Sequence, residues 1–275
     1  MHILINGKPI DITLDTEKTL GDVLSGIDQW ISSTGSRMQE VSVNGKTLCV
    51  NSLNTEFDRD IIEIKELAII VSSWRELAIE ALSYSLETCI FYEKASFAER
   101  NQISSDWEEL AAARFLAQDI PDIYNYFRLF LLGKGLSSKD FISLLEERLL
   151  EVTDPGSEII KSGALVENVA KKMEDLPLDI QTGKDIQAAE TIQLFSRICE
   201  KLFRIFSILR LEGYIPETFL VEDLPALAFI EEFNSALTEL SAAYENQDTV
   251  LTGDIAEYEL APRLLLFHAA LKKLF

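Results

Sequence analysis

Apolar positions recur along this chain in two rhythms, alternating over roughly the first seventy residues and helical thereafter. The most telling stretch is Ile186–Leu211, which contains neither Gly nor Pro. At helical spacing Glu190, Gln193, Arg197, Glu200, Lys201, Arg204 and Ser207 gather on one narrow polar stripe, and apolar residues such as Phe195, Ile198, Leu202 and Phe206 fill the remainder. A helix of that kind has to be covered on more than one side, so the spacing places it in the middle of a helical bundle.

The same periodicity predicts the neighbouring helices. The first begins at the Ser73/Glu76 capping box and runs to about Arg100 with two apolar stripes, Trp74, Leu77, Ala81, Tyr84, Phe91 and Ile79, Leu82, Leu86, Ile90. A second starts at Ser104-Ser105-Asp106-Trp107, is divided near Asp119 by Pro121, and stops at Gly133-Lys134-Gly135. A third runs from Ser137 to Glu151, stopped by Asp154-Pro155-Gly156, and a fourth covers Ser157–Glu174. Leu176–Asp179, around Pro177, reads as a loop. The long helix follows over Thr182–Glu212, a sixth extends from Leu220-Asp223 to about Asn246, and Thr252–Phe275 closes the chain with a kink at Pro262. Six to seven helices with short connections, and no repeat of 33 to 45 residues, describe an up-and-down bundle rather than a helical array.

Ahead of the bundle, Met1–Ile5, Asn6-Gly7 and the residues from Pro9 read as a β-hairpin, because Asn-Gly readily adopts the positive φ angles of a type I′ turn. The phrase INGKPIDI at 5–12 returns as VNGKTLCV at 43–50, so a second hairpin is expected, with Leu48 and Val50 beyond its turn. Between them Leu20, Val23, Leu24, Ile27, Trp30 and Ile31 recur at helical spacing behind Thr19 as N-cap, with Trp30 expected to be buried. Asp60–Glu66 supplies a last strand. The opening MHILINGK, TLGDVL at the helix start, the second VNGK and FDRDIIEI together resemble the β-grasp, ubiquitin-like sulfur carriers of thiamin and molybdopterin biosynthesis. The resemblance covers about a quarter of the chain and implies a β-grasp domain over 1–70, followed by an all-α bundle over 71–275, an α+β chain overall. Carriers of that family act through a free Gly-Gly tail; here Leu67-Ala68-Ile69-Ile70 continues straight into a helix, so the carrier chemistry transfers to no residue. What the resemblance implies is a scaffold reused as a binding surface.

Charge narrows the partners. The net charge is −21, of which −5 falls in residues 1–70 and −16 in the rest, so the acidity is distributed and does not form a tail. Such a field repels phosphate backbones and anionic lipid heads, which argues against nucleic-acid partners. Arg, Lys or Glu interrupts every apolar run before it reaches the roughly 18–20 residues needed to cross a bilayer, so membrane insertion is not expected. Cys49, Cys89 and Cys199 are far apart and embedded in apolar pattern; they read as reduced core thiols, which with the absence of a signal-peptide pattern points to the cytoplasm.

Candidate chemistry is sparse. The two histidines are His2, in the first strand, and His268, inside the apolar phrase LLLFHAAL, where a core or interface role is favoured. Neither is preceded by Glu at the Glu-x-x-His spacing of a di-iron bundle, and no zinc pair or nucleophile elbow is present. None of the Gly-Lys pairs, at 7, 45, 133 and 183, belongs to a phosphate-cradling loop. No catalytic, cofactor-binding or metal-ligating residue is assigned, and no cofactor is expected. The aromatic phrase Tyr124–Phe130 reads as core packing with tyrosine hydroxyls at its edge. The expectation is therefore a non-enzymatic cytoplasmic interaction protein, an adaptor or assembly factor, with a secretion or flagellar-type chaperone as its sharper form. Its partner is another protein, and a homo-oligomer stays open. The alternative is a small-molecule-binding protein or enzyme with a pocket in the bundle, near His268 or Tyr124–Tyr126, or at the domain junction.

Overall fold

The structure, a computed structural model, describes residues 1–12, 16–33, 35–48 and 56–275; Cys49 and Val50 lie outside the described residues. The chain divides into two compact units, residues 1–149 and 150–275.

The first unit opens with β1 (His2–Ile5) and β2 (Lys8–Ile10), then α1 (Leu20–Ser33), β3 (Ser36–Val43), β4 (Lys46–Thr47) and β5 (Glu66–Ser73). The strand order is β2-β1-β5-β3-β4; β1 and β5 run parallel and the other pairs antiparallel. Both Asn-Gly pairs form the expected turns, with Asn6 at φ 50° and Asn44 at φ 51°. Each asparagine does more than turn the chain. Asn6 Oδ1 accepts from the Val71 N–H (2.8 Å) and its Nδ2 donates to the Val71 carbonyl (2.9 Å). Asn44 Oδ1 accepts from the Lys65 and Glu66 N–H groups at 2.8 and 3.1 Å. The repeated phrase thus grips the two ends of β5, which satisfies backbone groups that strand pairing leaves over.

The last strand lies later than the alternation suggested. Ile61–Glu63 forms a 3₁₀ turn capped by Asp60, and the strand is Glu66–Ser73. The expected domain border at residue 70 falls inside that strand. Two apolar runs lie side by side here, and pairing with β1 in register His2↔Glu66 decides between them. Trp30 is also a correction, since it is 54% exposed. The helix buries Leu20, Val23, Leu24, Ile27 and Ile31 against Ile3, Val41, Val43, Leu67 and Ile69. That stripe is complete without Trp30, which falls on its flank.

Strand β5 passes directly into α2 (Trp74–Lys94) through the predicted box: Ser73 N–H donates to Glu76 Oε2 (2.8 Å) and Glu76 N–H to Ser73 Oγ (3.2 Å). The helix stops at Ala95, short of Arg100, because a second capping box, Ser96 with Glu99, starts α3 (Phe97–Asp106). Ser104 and Ser105, expected as caps, are helical and bond back to the Arg100 and Gln102 carbonyls. Neither of the two expected stripes on α2 is buried whole: the helix buries the strip between them, Ala78, Ala81, Leu82, Ser85 and Cys89, while Tyr84 and Phe91 on one stripe and Ile90 on the other stay exposed. Beyond a 3₁₀ turn at Trp107–Glu109 come α4 (Ala111–Asp119), α5 (Pro121–Leu131) and α6 (Ser138–Thr153), and the border between the two units falls within α6. Pro121 divides α4 from α5 as expected, with Ile120 held out of the helical region at ψ 61°. Phe127, Phe130 and Phe141 pack together with centroids 5.5 to 6.1 Å apart, and Trp107 lies on Phe127 at 3.9 Å. Arg37 on β3 makes a two-bonded pair with Asp119 at the end of α4, both contacts 2.6 Å.

The second unit is built on α7 (Pro155–Glu174), α8 (Leu176–Gln181), α9 (Asp185–Leu211), α10 (Ala226–Glu245), α11 (Thr249–Asp254) and α12 (Ala261–Lys272). Pro177, the expected loop marker, occupies the first turn of α8, where its missing N–H costs nothing; Leu176–Asp179 is therefore helical. Six to seven helices become eleven after the sheet among the described residues, because Ser96, Pro121, Pro177 and a π-helical turn at Ile255–Leu260 subdivide the expected ones. That π turn precedes Pro262, which offers no N–H to the preceding turn; the Ala261 N–H reaches back five residues to Ala256. The long helix α9 is covered on several sides as expected, with Phe195, Ile198, Leu202, Ile205, Phe206 and Leu209 buried. Its polar stripe is only partly solvated. Arg204 donates to both oxygens of Glu151 (2.9 and 2.8 Å), a carboxylate 1% exposed, and Lys201 donates to Glu158 (2.9 Å), which also accepts from Lys161 (3.2 Å). Burial pushes the Glu158 carboxyl up, yet the bonds and charges of Lys201 and Lys161 outweigh it and hold the group below the usual carboxylate range.

Candidate interaction groove beside the first helix

The groove lies between β2 with its continuation and α1. Thr19 caps the helix, its Oγ1 accepting from the Asp22 N–H at 3.2 Å, while Asp22 Oδ2 accepts from the Lys18 and Thr19 N–H groups at 3.0 Å each. These two backbone bonds, helped by Lys18, keep the Asp22 carboxyl below its ordinary range. Asp22, Gly26 and Trp30 then follow at one-turn spacing along the flank of α1, beside the buried Val23 and Ile27. Opposite them stand Ile10, Asp11 and Ile12. The space enclosed is about 590 Å³, and its lining is mainly apolar, with Trp30 and Ile12 (41% exposed) presented to it. Asp11, Glu17 and Asp22 bring three carboxylates, and no basic side chain belongs to the described lining. An apolar trough with a rigid aromatic and a polar rim is the usual form of a site that takes an apolar group.

The two glycines of α1 stand in different surroundings. A Cβ at Gly21 would lie 3.2 Å from both the ring and the carbonyl of Phe57, so a larger residue there presses on Phe57 and a glycine relieves the packing. A Cβ at Gly26 would meet nothing within 4 Å.

Two further hollows are smaller. One, of about 380 Å³, lies on the other flank of α1, where Ser25, Asp28 and Gln39 stand among Leu24, Met38, Val41, Leu48 and Phe57; the other, about 220 Å³, lies in the second unit among Phe206, Arg210, Pro216 and Phe219. The positions singled out in the sequence come together in none of these. His268 is buried, its Nε2 is 2.9 Å from the Ile159 carbonyl, and it serves the packing of α12 on α7. Phe127 and Phe130 are core, and Tyr126 is exposed. His2 is exposed on β1. Cys89 and Cys199 are buried free thiols; burial, assisted by the Glu93 charge, pushes Cys89 up to about 12, and burial raises Cys199 as well. Among the described residues no three of His, Cys, Asp or Glu cluster as a metal site, and no helix is long and apolar enough to cross a membrane. Sequence reasoning missed the groove because it counted Trp30 into the core. The available signal was a glycine in mid-helix spaced one turn from an acid and one turn from a tryptophan.

Residues 1–73 match a family described as the TP0873 N-terminal domain, and residues 158–270 match a domain of unknown function, DUF8042. The first match ends where β5 gives way to α2, and the second falls within the second unit. An uncharacterized protein of Treponema pallidum (strain Nichols) is 26% identical over 192 residues, which cover 64% of this chain and 94% of that protein. No solved structure matches the chain.

Proposed function

We propose that the chain is a non-enzymatic interaction protein of the cytoplasm, an adaptor or assembly factor that presents a β-grasp scaffold as a docking surface. The scaffold reading is supported by the strand order β2-β1-β5-β3-β4, the parallel β1–β5 pair and the single helix packed on the sheet. A carrier role is disfavoured because β5 runs through Ser73 into α2 without a diglycine or a free end. The buried thiols Cys89 and Cys199 suit a reducing compartment.

The observation that carries the reading is the open apolar groove with Trp30 half out of it, an energetically poor arrangement for a surface that meets only water. The alternative, a small-molecule-binding protein or enzyme with a pocket near His268 or Tyr124–Tyr126 or at the domain junction, is less favoured because the His268 Nε2 is engaged by the Ile159 carbonyl within the packing. A chaperone that holds an amphipathic segment is a special case of the same proposal.

Affinity capture with the full chain, followed by reconstitution from purified components in a calorimeter, tests it. One recovered protein that forms a stoichiometric complex is the expected result. Failure of every recovered protein to bind directly, or catalytic turnover of a metabolite by the purified chain, overturns it.

A further inference from the structure

Accepting the docking role just proposed, we infer that the groove between β2 and α1 receives one bulky apolar side chain of a partner polypeptide flanked by Lys or Arg, with Gly26 as the floor that admits it. Three independent features point to this occupant.

The first is charge. Asp11, Glu17 and Asp22 stand around an apolar interior, with no basic side chain in the described lining, on a molecule carrying −21 overall. Lys18, next in the chain to Glu17, acts on the Asp22 carboxylate through its charge and is not part of the described lining. An acidic occupant meets three carboxylates of like charge, whereas Lys or Arg beside the inserted group finds opposite charge.

The second is Gly26. Glycine is the poorest ordinary residue inside a helix, and Gly21 shows what an internal reason for one looks like, a close contact with Phe57. Gly26 has no such reason: open space surrounds the position where its side chain would be. What its smallness does accomplish is to leave a gap one turn long between Asp22 and Trp30, on the groove side of the helix. The helix gives up stability at the one place where an incoming group would touch it.

The third is the edge strand. β2 has three residues with Pro9 at its centre, which blunts it against the addition of a partner strand. Recognition therefore falls to side chains entering the groove, and the committed occupant is a side chain in a basic setting rather than a paired strand.

The test uses the full chain, labelled with ¹⁵N, and three synthetic peptides in the same Gly-Ser frame: Lys-Lys-Leu-Lys-Lys, the version with Ala for Leu, and the version with Glu for every Lys. Saturable shifts of the Trp30 indole and the Gly26 amide are expected with the first peptide. Binding should weaken about tenfold when Leu is removed, the size of one buried apolar side chain, and no shift is expected with the acidic peptide. Gly26→Ala is expected to raise Tm by about 2–4 °C while weakening the first peptide, and Gly26→Leu to abolish its binding in a folded protein. A thermal gain together with a binding loss is a combination that a merely structural glycine cannot give. Equal binding of the Leu and Ala peptides, shifts that map away from Trp30, undiminished binding by Gly26→Leu, or a lower Tm for Gly26→Ala each overturns the assignment. If the captured partner binds Trp30→Ala as tightly as the native chain, the groove assignment falls and the adaptor reading stands. If no partner forms a complex, the adaptor reading falls while the peptide titration still reports on the groove.

Discussion

At Asn44 one side chain solves two problems. The backbone is left-handed, which any residue with a Cβ other than Asn or Asp tolerates poorly, and the amide is spent on the Lys65 and Glu66 N–H groups and the Glu63 carbonyl. Replacing it separates the contributions. Asn44→Asp keeps the acceptor and should cost about 1 kcal/mol or less. Asn44→Gly keeps the φ angle and loses the bonds, about 2 kcal/mol, and Asn44→Ala loses both, about 3 kcal/mol. Urea denaturation reads the order directly; an alanine variant as stable as the aspartate one would mean that the bonds to β5 contribute nothing. Glu151 poses the opposite problem, a carboxylate 1% exposed that is matched by the Arg204 guanidinium. Arg204→Met takes that guanidinium away from a buried charge and should cost about 3 kcal/mol. Adding Glu151→Met should recover most of the loss, because an apolar pair of similar volume no longer has a charge to desolvate. A double variant no more stable than the single one would show that the pair gives more than mutual compensation.

Between elements, the borders are set by capping groups and prolines of unequal visibility. Ser96 ends α2 by starting α3: its N–H donates to Glu99 Oε2 at 2.7 Å and its Oγ accepts from the Glu99 N–H at 3.5 Å. Ser96→Ala removes the hydroxyl and should destabilise the first unit by about 1 kcal/mol, with hydrogen exchange quickened at the first turn of α3. Unchanged exchange at Glu99 would assign the break to packing instead. The Ser73/Glu76 box and Pro121 were legible because each interrupts a clear periodic run. The Ser96/Glu99 box was equally present in the sequence, but the apolar rhythm of α2 carries past it and hides it. Pro177 misled in the other direction, since a proline marks a loop or a first turn and only the packing of its neighbours, Leu176 buried and Pro177 close to Gly253, chooses. Placing the last strand at 66–73 rather than 60–66 likewise depends on pairing with β1, a contact more than sixty residues away. The groove was legible only on its helix side, in the Asp22, Gly26 and Trp30 spacing, and for the same reason its other wall was not. Ile12 and Trp30 are ordinary apolar residues until the sheet brings them together.

For the whole molecule the acid response sets two charge effects against each other. At neutral pH the −21 net charge repels itself and works against compaction, so mild acidification should first stabilise the fold. Glu158 acts in the opposite sense. Its carboxyl is held below the ordinary range by Lys201 and Lys161 against the cost of burial, so the unfolded chain takes up a proton before the folded one does. The stability it contributes is complete above the unfolded Glu value, about 4.3, and is lost as the pH falls through the lower, folded value. Stability should therefore pass through a maximum on the acid side of neutrality and then fall, with Glu158 steepening the acid limb. Glu158→Gln isolates that share. It should be less stable than the native chain by about 1.5–3 kcal/mol at pH 7, the worth of hydrogen bonds to a charged group. The gap should begin to narrow below the unfolded Glu value, about 4.3, and close as the pH passes the lower, folded value, where the native carboxyl takes up its own proton and comes to resemble the amide. Urea melts of both proteins across the pH range measure the gap. If it persists undiminished into strong acid, Glu158 matters for its shape in the α7–α9 packing, and the lysines on either side of it are bystanders.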